Sequence, residues 1–115
     1  MTDSIFTKIL KKEIPSNIIY EDEFVFAIND INPVAPIHIL IIPKEQIPTV
    51  NDITEENSFL IGKIISAAKK IASNLNIAEK GYRLIFNCND DGGQTVFHIH
   101  CHLLGGKKLT AKLAD

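Results

Sequence analysis

The sequence predicts an α+β domain: an antiparallel sheet of about five strands, one long helix against it and one short helix. Three observations lead there. Only one segment, residues 61–75, carries a long helical stripe of apolar side chains, in Ile61, Ile64, Ile65, Ala68, Ile71, Ala72 and Leu75. Five short runs rich in Ile, Val, Phe and Tyr are separated mostly by compact turns, which suits antiparallel neighbours. And 115 residues, 45% hydrophobic and 23% charged, suffice for one core and not for two.

Each element has a local cause. Asp3-Ser4 offers a helix cap, and Ile5, Phe6, Ile9 and Leu10 follow at helical spacing until Pro15 stops the pattern. Residues 18–20 and 24–28 are β-rich and flank the acidic turn Glu21-Asp22-Glu23, which predicts a hairpin. Residues 29–36 hold two prolines and two asparagines and form a loop, after which residues 37–42 make a third strand closed by Pro43. Asp52 and Thr54 are cap candidates for the long helix, with Glu55 and Glu56 at its positive end and its finish near residues 74–76. Residues 82–87 and 96–104 supply the last two strands, around the turn-rich Asn89-Asp90-Asp91-Gly92-Gly93. With no repeat or linker in between, the domain is expected over residues 1–106, with a tail over 107–115.

Composition excludes several classes. A net charge of −2 and a pI near 6.1 lack the basic face a general nucleic-acid binder needs. The longest apolar run, residues 37–43, is interrupted by His38 and falls far short of a membrane helix, so no membrane partner is expected. Met1-Thr2-Asp3-Ser4 opens without a signal-peptide pattern, which points to the cytoplasm. There, Cys88 and Cys101 are expected as reduced, buried thiols.

Three of the four histidines alternate in His98-Ile99-His100-Cys101-His102. On a strand such residues share one face at about 3.4 Å per step, while Ile99, Cys101 and Leu103 take the other. One histidine on a strand is usually structural. Three imidazoles side by side gain nothing for stability, because desolvation and mutual repulsion both oppose them. Zinc is a poor fit: His98 and His102 would stand about 13 Å apart along the strand, and Cys101 faces away. No metal or other cofactor is therefore expected. A better fit is chemistry at phosphorus, with a neutral central imidazole as nucleophile and its neighbours as hydrogen-bond donors. Asp91-Gly92-Gly93-Gln94-Thr95, just upstream, is either an ordinary turn or a phosphate cradle of backbone N–H groups and neutral side chains.

These residues resemble the histidine triad (HIT) superfamily, whose pattern His-φ-His-φ-His-φ-φ residues 98–104 fit. The resemblance extends through Ile5-Phe6-Thr7-Lys8-Ile9, Lys12-Glu13-Ile14-Pro15, Asp30-Ile31-Asn32-Pro33, Ala35-Pro36-Ile37-His38, Ile42-Pro43-Lys44 and Gly81-Tyr82-Arg83 to Asp91-Gly92-Gly93-Gln94-Thr95. It is similar to the Hint branch, the nucleoside phosphoramidate hydrolases. The resemblance implies a HIT-like fold, a homodimer and cleavage of P–N bonds in purine nucleoside phosphoramidates of AMP or GMP type. His100 would be the nucleophile that becomes nucleotidylated, His98 and His102 its flanking partners, and His38 a fourth histidine that supports it. Asp30 would accept both ribose hydroxyls, with Ile31 against the nucleoside. Asn87, Gly93, Gln94 and Thr95 would meet the phosphate or leaving group, and Ile5, Phe6, Ile9 and Ile28 would line the base pocket, unless they are plain core. Two features depart from the pattern: Thr95 stands where better-known members have Ser, and the tail contains no Trp. A nucleotide-binding regulatory or scaffold protein with residual hydrolysis would keep the same pocket, and a metal-binding protein is the third reading.

Overall fold

The computed structural model describes residues 2–113. Along the chain come α1 (Ile5–Leu10), β1 (Ile18–Glu21), β2 (Val25–Asn29) and β3 (Ile37–Pro43). A 3-10 turn (Val50–Asp52), α2 (Phe59–Asn74), β4 (Arg83–Phe86) and β5 (Cys101–Gly105) follow. The five strands form one sheet in the order β1-β2-β3-β5-β4, antiparallel at every junction. The expected α+β architecture, with one long and one short helix, is the one found.

Local chemistry accounts for the early elements. Ser4 caps α1, its Oγ accepting from Thr7 N at 3.0 Å. The β1–β2 turn is held by Asp22, whose Oδ1 accepts from the N–H groups of Phe24 and Val25 at 2.8 and 2.9 Å.

The long helix starts later than Asp52 and Thr54 suggest. Asp52 instead closes a capping box with Thr49 around the 3-10 turn, its Oδ2 accepting from Thr49 N at 3.1 Å and Thr49 Oγ1 at 2.8 Å. Thr54 and Asn57 then exchange side-chain-to-backbone bonds, and α2 begins at Phe59. Its buried stripe is Leu60, Ile64, Ala67, Ala68, Ile71 and Ala72. Ile65 and Leu75, placed in the stripe by the sequence reading, are 43% and 42% exposed. The helix turns about 100° per residue, which carries Ile65 past the edge of the stripe set by Leu60, Ile64 and Ile71, whereas Leu75 is the C-cap, one residue beyond the end of α2.

Period-two alternation sorts the sheet into two faces. Val25, Ala27, Ile39, Ile41, Cys101 and Leu103 pack under α2. Phe26, Ile28, Leu40 and Ile42 point the other way and pack with Phe6 and Ile9 of α1. Both layers are apolar and buried, their Val, Ile, Leu and Phe side chains contributing about 1.5–3 kcal/mol each.

The last strand is shorter than residues 96–104. β5 pairs with β3 from Ile41↔Cys101 to Ile37↔Gly105. Continued along that register, Ile42 would face His100 and Pro43 would face Ile99, and Pro43 has no N–H to offer a ladder. Residues 96–100 therefore leave the sheet, held at the backbone by Ile99 N donating to Ile47 O at 2.7 Å. Both cysteines are free thiols, but only Cys101 is buried, and burial pushes its thiol up to about 12. Cys88 is half-buried, because it lies past the end of edge strand β4. Beyond Gly106 the chain returns to β4, where Arg83 Nη2 donates to Thr110 O at 2.6 Å. Among the described residues no helix is long and apolar enough to cross a membrane.

Candidate active site

The face of the sheet that α1 half covers also carries the histidines. His38 on β3 pairs with Leu104, and Leu40 with His102, so the two histidines are diagonal neighbours across β3 and β5. His38 Nε2 lies 2.9 Å from His102 Nδ1. Val34 N donates to His38 Nδ1 at 3.1 Å, so that nitrogen is the acceptor and the ring's proton sits on Nε2. His102 Nδ1 must then accept, which places the His102 proton on Nε2. Burial first, and the neighbouring imidazoles of His100 and His38 next, push His102 down to about 4. At neutral pH it is an uncharged hydrogen-bond donor.

Asp30 adjoins this pair. Its Oδ2 is 3.3 Å from His38 Nε2, and its Oδ1 accepts from Asn32 N at 2.8 Å. The carboxylate is thus nearer the histidines than an assignment to the sugar alone suggests. Ile31 beside it is 91% exposed, as a side chain on the rim of a site would be. Ligand atoms of Asp30, His38 and His102 lie within 4.8 Å of one another. A cation would need the His38 Nε2 lone pair, and that nitrogen carries the proton, so the donor chemistry does not fit a metal.

His100 sits one residue before β5. Its Nδ1 lies 2.8 Å from the carbonyl oxygen of His98, which can only accept. Nδ1 therefore holds the proton and Nε2 keeps its lone pair. Burial lowers the His100 pKa, so the neutral form dominates at pH 7. Its ring packs edge-on against Phe6 at 5.0 Å and against His102 at 5.1 Å between centroids.

His98 differs from its neighbours. It is 0% exposed, its Nε2 donates to Pro43 O at 2.7 Å, and its Nδ1 lies 2.6 Å from Ser4 Oγ. Both nitrogens have protein partners, so the structure leaves His98 no donor for a phosphate. Nor do the three rings rise from one strand, since His98 and His100 precede β5. His38, for its part, is in hydrogen-bond contact with His102, not with His100.

The glycine-rich loop is a tight turn first. A Cβ on Gly92 would strike the Cys88 carbonyl, and Gly93 has φ +78. The N–H groups of Gly93 and Gln94 donate to Asp90 O and Asn89 O, which turns them away from use as an anion cradle. Gln94 is buried, its Oε1 accepting from Asn89 N and its Nε2 donating to Pro48 O and Val96 O. Asn87 Nδ2 donates to Gly92 O at 2.7 Å. Of the four loop positions singled out, Thr95 has the exposed hydroxyl. Phe6, Ile9 and Ile28 are buried in the α1-side core, whereas Ile5 is 48% exposed on the outer face of the helix.

Ser4, Val34 and the Pro43 carbonyl were not singled out as site groups by sequence. Ser4 was legible as a helix cap; its contact with a ring 94 positions away leaves no local signal.

The HIT domain family model matches residues 11–109. The purine nucleoside phosphoramidase of Escherichia coli (strain K12) is 55% identical over 112 residues, covering 97% of this chain and 94% of that protein. Among solved structures, a HIT family hydrolase from Clostridium thermocellum superposes with a TM-score of 0.94 at 56% identity, covering 98% of both chains. A histidine triad protein from Clostridium difficile gives 0.93 at 45% identity and 97% coverage of both chains. Family model, sequence identity and superposition agree: the chain belongs to the HIT domain family.

Proposed function

We propose that this protein hydrolyses the P–N bond of purine nucleoside phosphoramidates and releases a nucleoside monophosphate. One observation carries the reading: the bond from His100 Nδ1 to the His98 carbonyl leaves Nε2 as a neutral nucleophile. The likeness to a purine nucleoside phosphoramidase supplies the substrate class. In the first step His100 Nε2 attacks the α-phosphorus, and the P–N bond breaks. The amine leaves with a proton taken from water at the exposed Thr95 rim. The neutral Nε2–H of His102 donates to the phosphoryl oxygens, held in that tautomer by His38. Water then attacks the nucleotidyl-histidine, breaks the P–Nε2 bond and returns a proton to solvent. Asp30 takes the ribose hydroxyls and Ile31 covers the base. His98 frames the nucleophile and does not touch the phosphate.

The working unit is a homodimer in this proposal. β4 is an edge strand whose four residues are only half-buried, an arrangement a second copy would complete. Sedimentation at micromolar concentration should give a dimer; a monomer would remove this part. The activity is tested by following adenosine 5′-phosphoramidate. Multiple turnovers to AMP are expected, whereas tight AMP binding with a rate no faster than in buffer would leave a binding protein in its place.

A further inference from the structure

We infer that Ser4 is a positioning residue for the His100 nucleophile, acting through the side chain of His98; this rests on the reading of His100 above. The His98 carbonyl sets the His100 tautomer, yet residues 96–100 lie outside the sheet ladder. Something other than strand pairing must hold that carbonyl in place. Ile99 N donating to Ile47 O is one tie on its far side. Gln94 Nε2 donating to Val96 O is another, upstream, and two more belong to the His98 ring itself, clamped between Pro43 O at 2.7 Å and Ser4 Oγ at 2.6 Å.

Proton accounting makes the clamp directional. Pro43 O can only accept, so His98 carries its proton on Nε2, and Nδ1 must accept. Ser4 is thereby the donor. Among the described residues its alternative acceptor is Thr7 Oγ1 at 3.3 Å, a longer and weaker contact. The same oxygen accepts from Thr7 N as the cap of α1, and Ser4 N donates to Gln46 Oε1 at 2.8 Å. A helix cap requires an acceptor and no more. The hydroxyl proton on a wholly buried imidazole is a separate function, and it ties the first turn of α1 to the catalytic segment. Phe6, two residues on, meets both the His98 and the His100 rings edge-on. The helix therefore steadies the nucleophile from two sides.

The two functions of Ser4 are separable. Ser4→Asp keeps a strong cap but replaces the donor with a carboxylate, which draws a proton onto His98 Nδ1. Ser4→Thr keeps both the acceptor and the donor. Thermal melting, steady-state kinetics and ¹⁵N spectra of the histidine side chains of the three full-length proteins give the test. Ser4→Asp should melt near the wild type and lose on the order of 10- to 100-fold in kcat with KM little changed, while Ser4→Thr restores most of the rate. In the spectra, wild-type His98 should show a protonated Nε2 and a bare Nδ1, and Ser4→Asp a protonated Nδ1. A folded Ser4→Asp with wild-type kcat, or wild-type His98 protonated on Nδ1, overturns the inference. The spectra do not depend on turnover. If the wild type cleaves no phosphoramidate while His98 and His100 hold the stated tautomers and Ser4→Asp disturbs the His100 ring, the proposed function fails and the positioning role survives.

Discussion

His38 Nε2 stands 2.9 Å from His102 Nδ1, and the Val34 N–H on the far side of the His38 ring settles which of the two histidines donates. An imidazole pair so close cannot carry two charges at neutral pH. It is a neutral relay of fixed polarity, running from a backbone amide through two rings to the His102 Nε2–H. Exchange of the two tautomers would set His38 Nδ1–H against Val34 N–H, donor against donor.

This relay has a pH signature. His102 has an ordinary pKa of 6.5, lowered in the folded protein to about 4. Between those values the unfolded chain binds a proton that the folded chain refuses, so its contribution is intact above pH 6.5 and is lost as pH falls toward 4. The melting temperature of the wild type should decline across that window. His102→Gln should show a shallower decline over the same range; an identical slope would contradict the assignment.

At the nucleophile the expected effect is large. His100→Ala should lower kcat by a factor on the order of 10⁴ or more, because the covalent path is removed. AMP binding should persist through Asp30. Wild-type enzyme trapped during turnover without acid should carry one nucleotidyl group, mapped by peptide mass to His100. An adduct on His102 would reverse the roles given to these two rings.

Asp30→Asn should weaken AMP binding, losing up to about 1.5–3 kcal/mol for each charge-assisted bond to a ribose hydroxyl. The single-turnover rate on bound substrate should change far less. Calorimetry and rapid-quench kinetics on the same preparation separate the two. Normal affinity with a collapsed rate would move Asp30 from the sugar to the His38–His102 relay.

The phase of α2 predicts a contrast in stability. Ile64 is fully buried beneath the sheet, and Ile64→Ala should cost about 2–5 kcal/mol by leaving a cavity. Ile65→Ala removes a half-exposed side chain and should stay within about 1 kcal/mol in the monomeric fold. Denaturant melts of the two variants measure the difference directly.

Much of this molecule was legible in the sequence because its cause is local. Ser4 at a cap, the Asp22 turn, Pro43 at a strand end and the alternation in β3 each act within a few residues. The histidine alternation was equally visible, and it led to the site. What it did not reveal was that His98 and His100 lie off the strand, since that depends on residues more than fifty positions before Ile99: Pro43, which has no N–H to offer opposite it, and Ile47, whose carbonyl takes the Ile99 N–H instead. Gln94 was likewise read as a donor to substrate; only the fold brings Pro48 O within 2.7 Å of its amide. Ile65 and Leu75 matched the apolar pattern of α2, but the sheet beneath decides the rotational setting that turns Ile65 outward, and the helix ends at Asn74, before Leu75.

The placement of β5 divides the histidines between two kinds of ground. His38 and His102 are woven into neighbouring central strands and can separate only when the sheet itself opens. His98 and His100 are moored instead to a six-residue helix, one amide and the end of β3. Such moorings let go in smaller excursions than a central strand does. As heat or denaturant rises, the nucleophile is therefore the part that drifts first, and the protein falls silent while its sheet still stands.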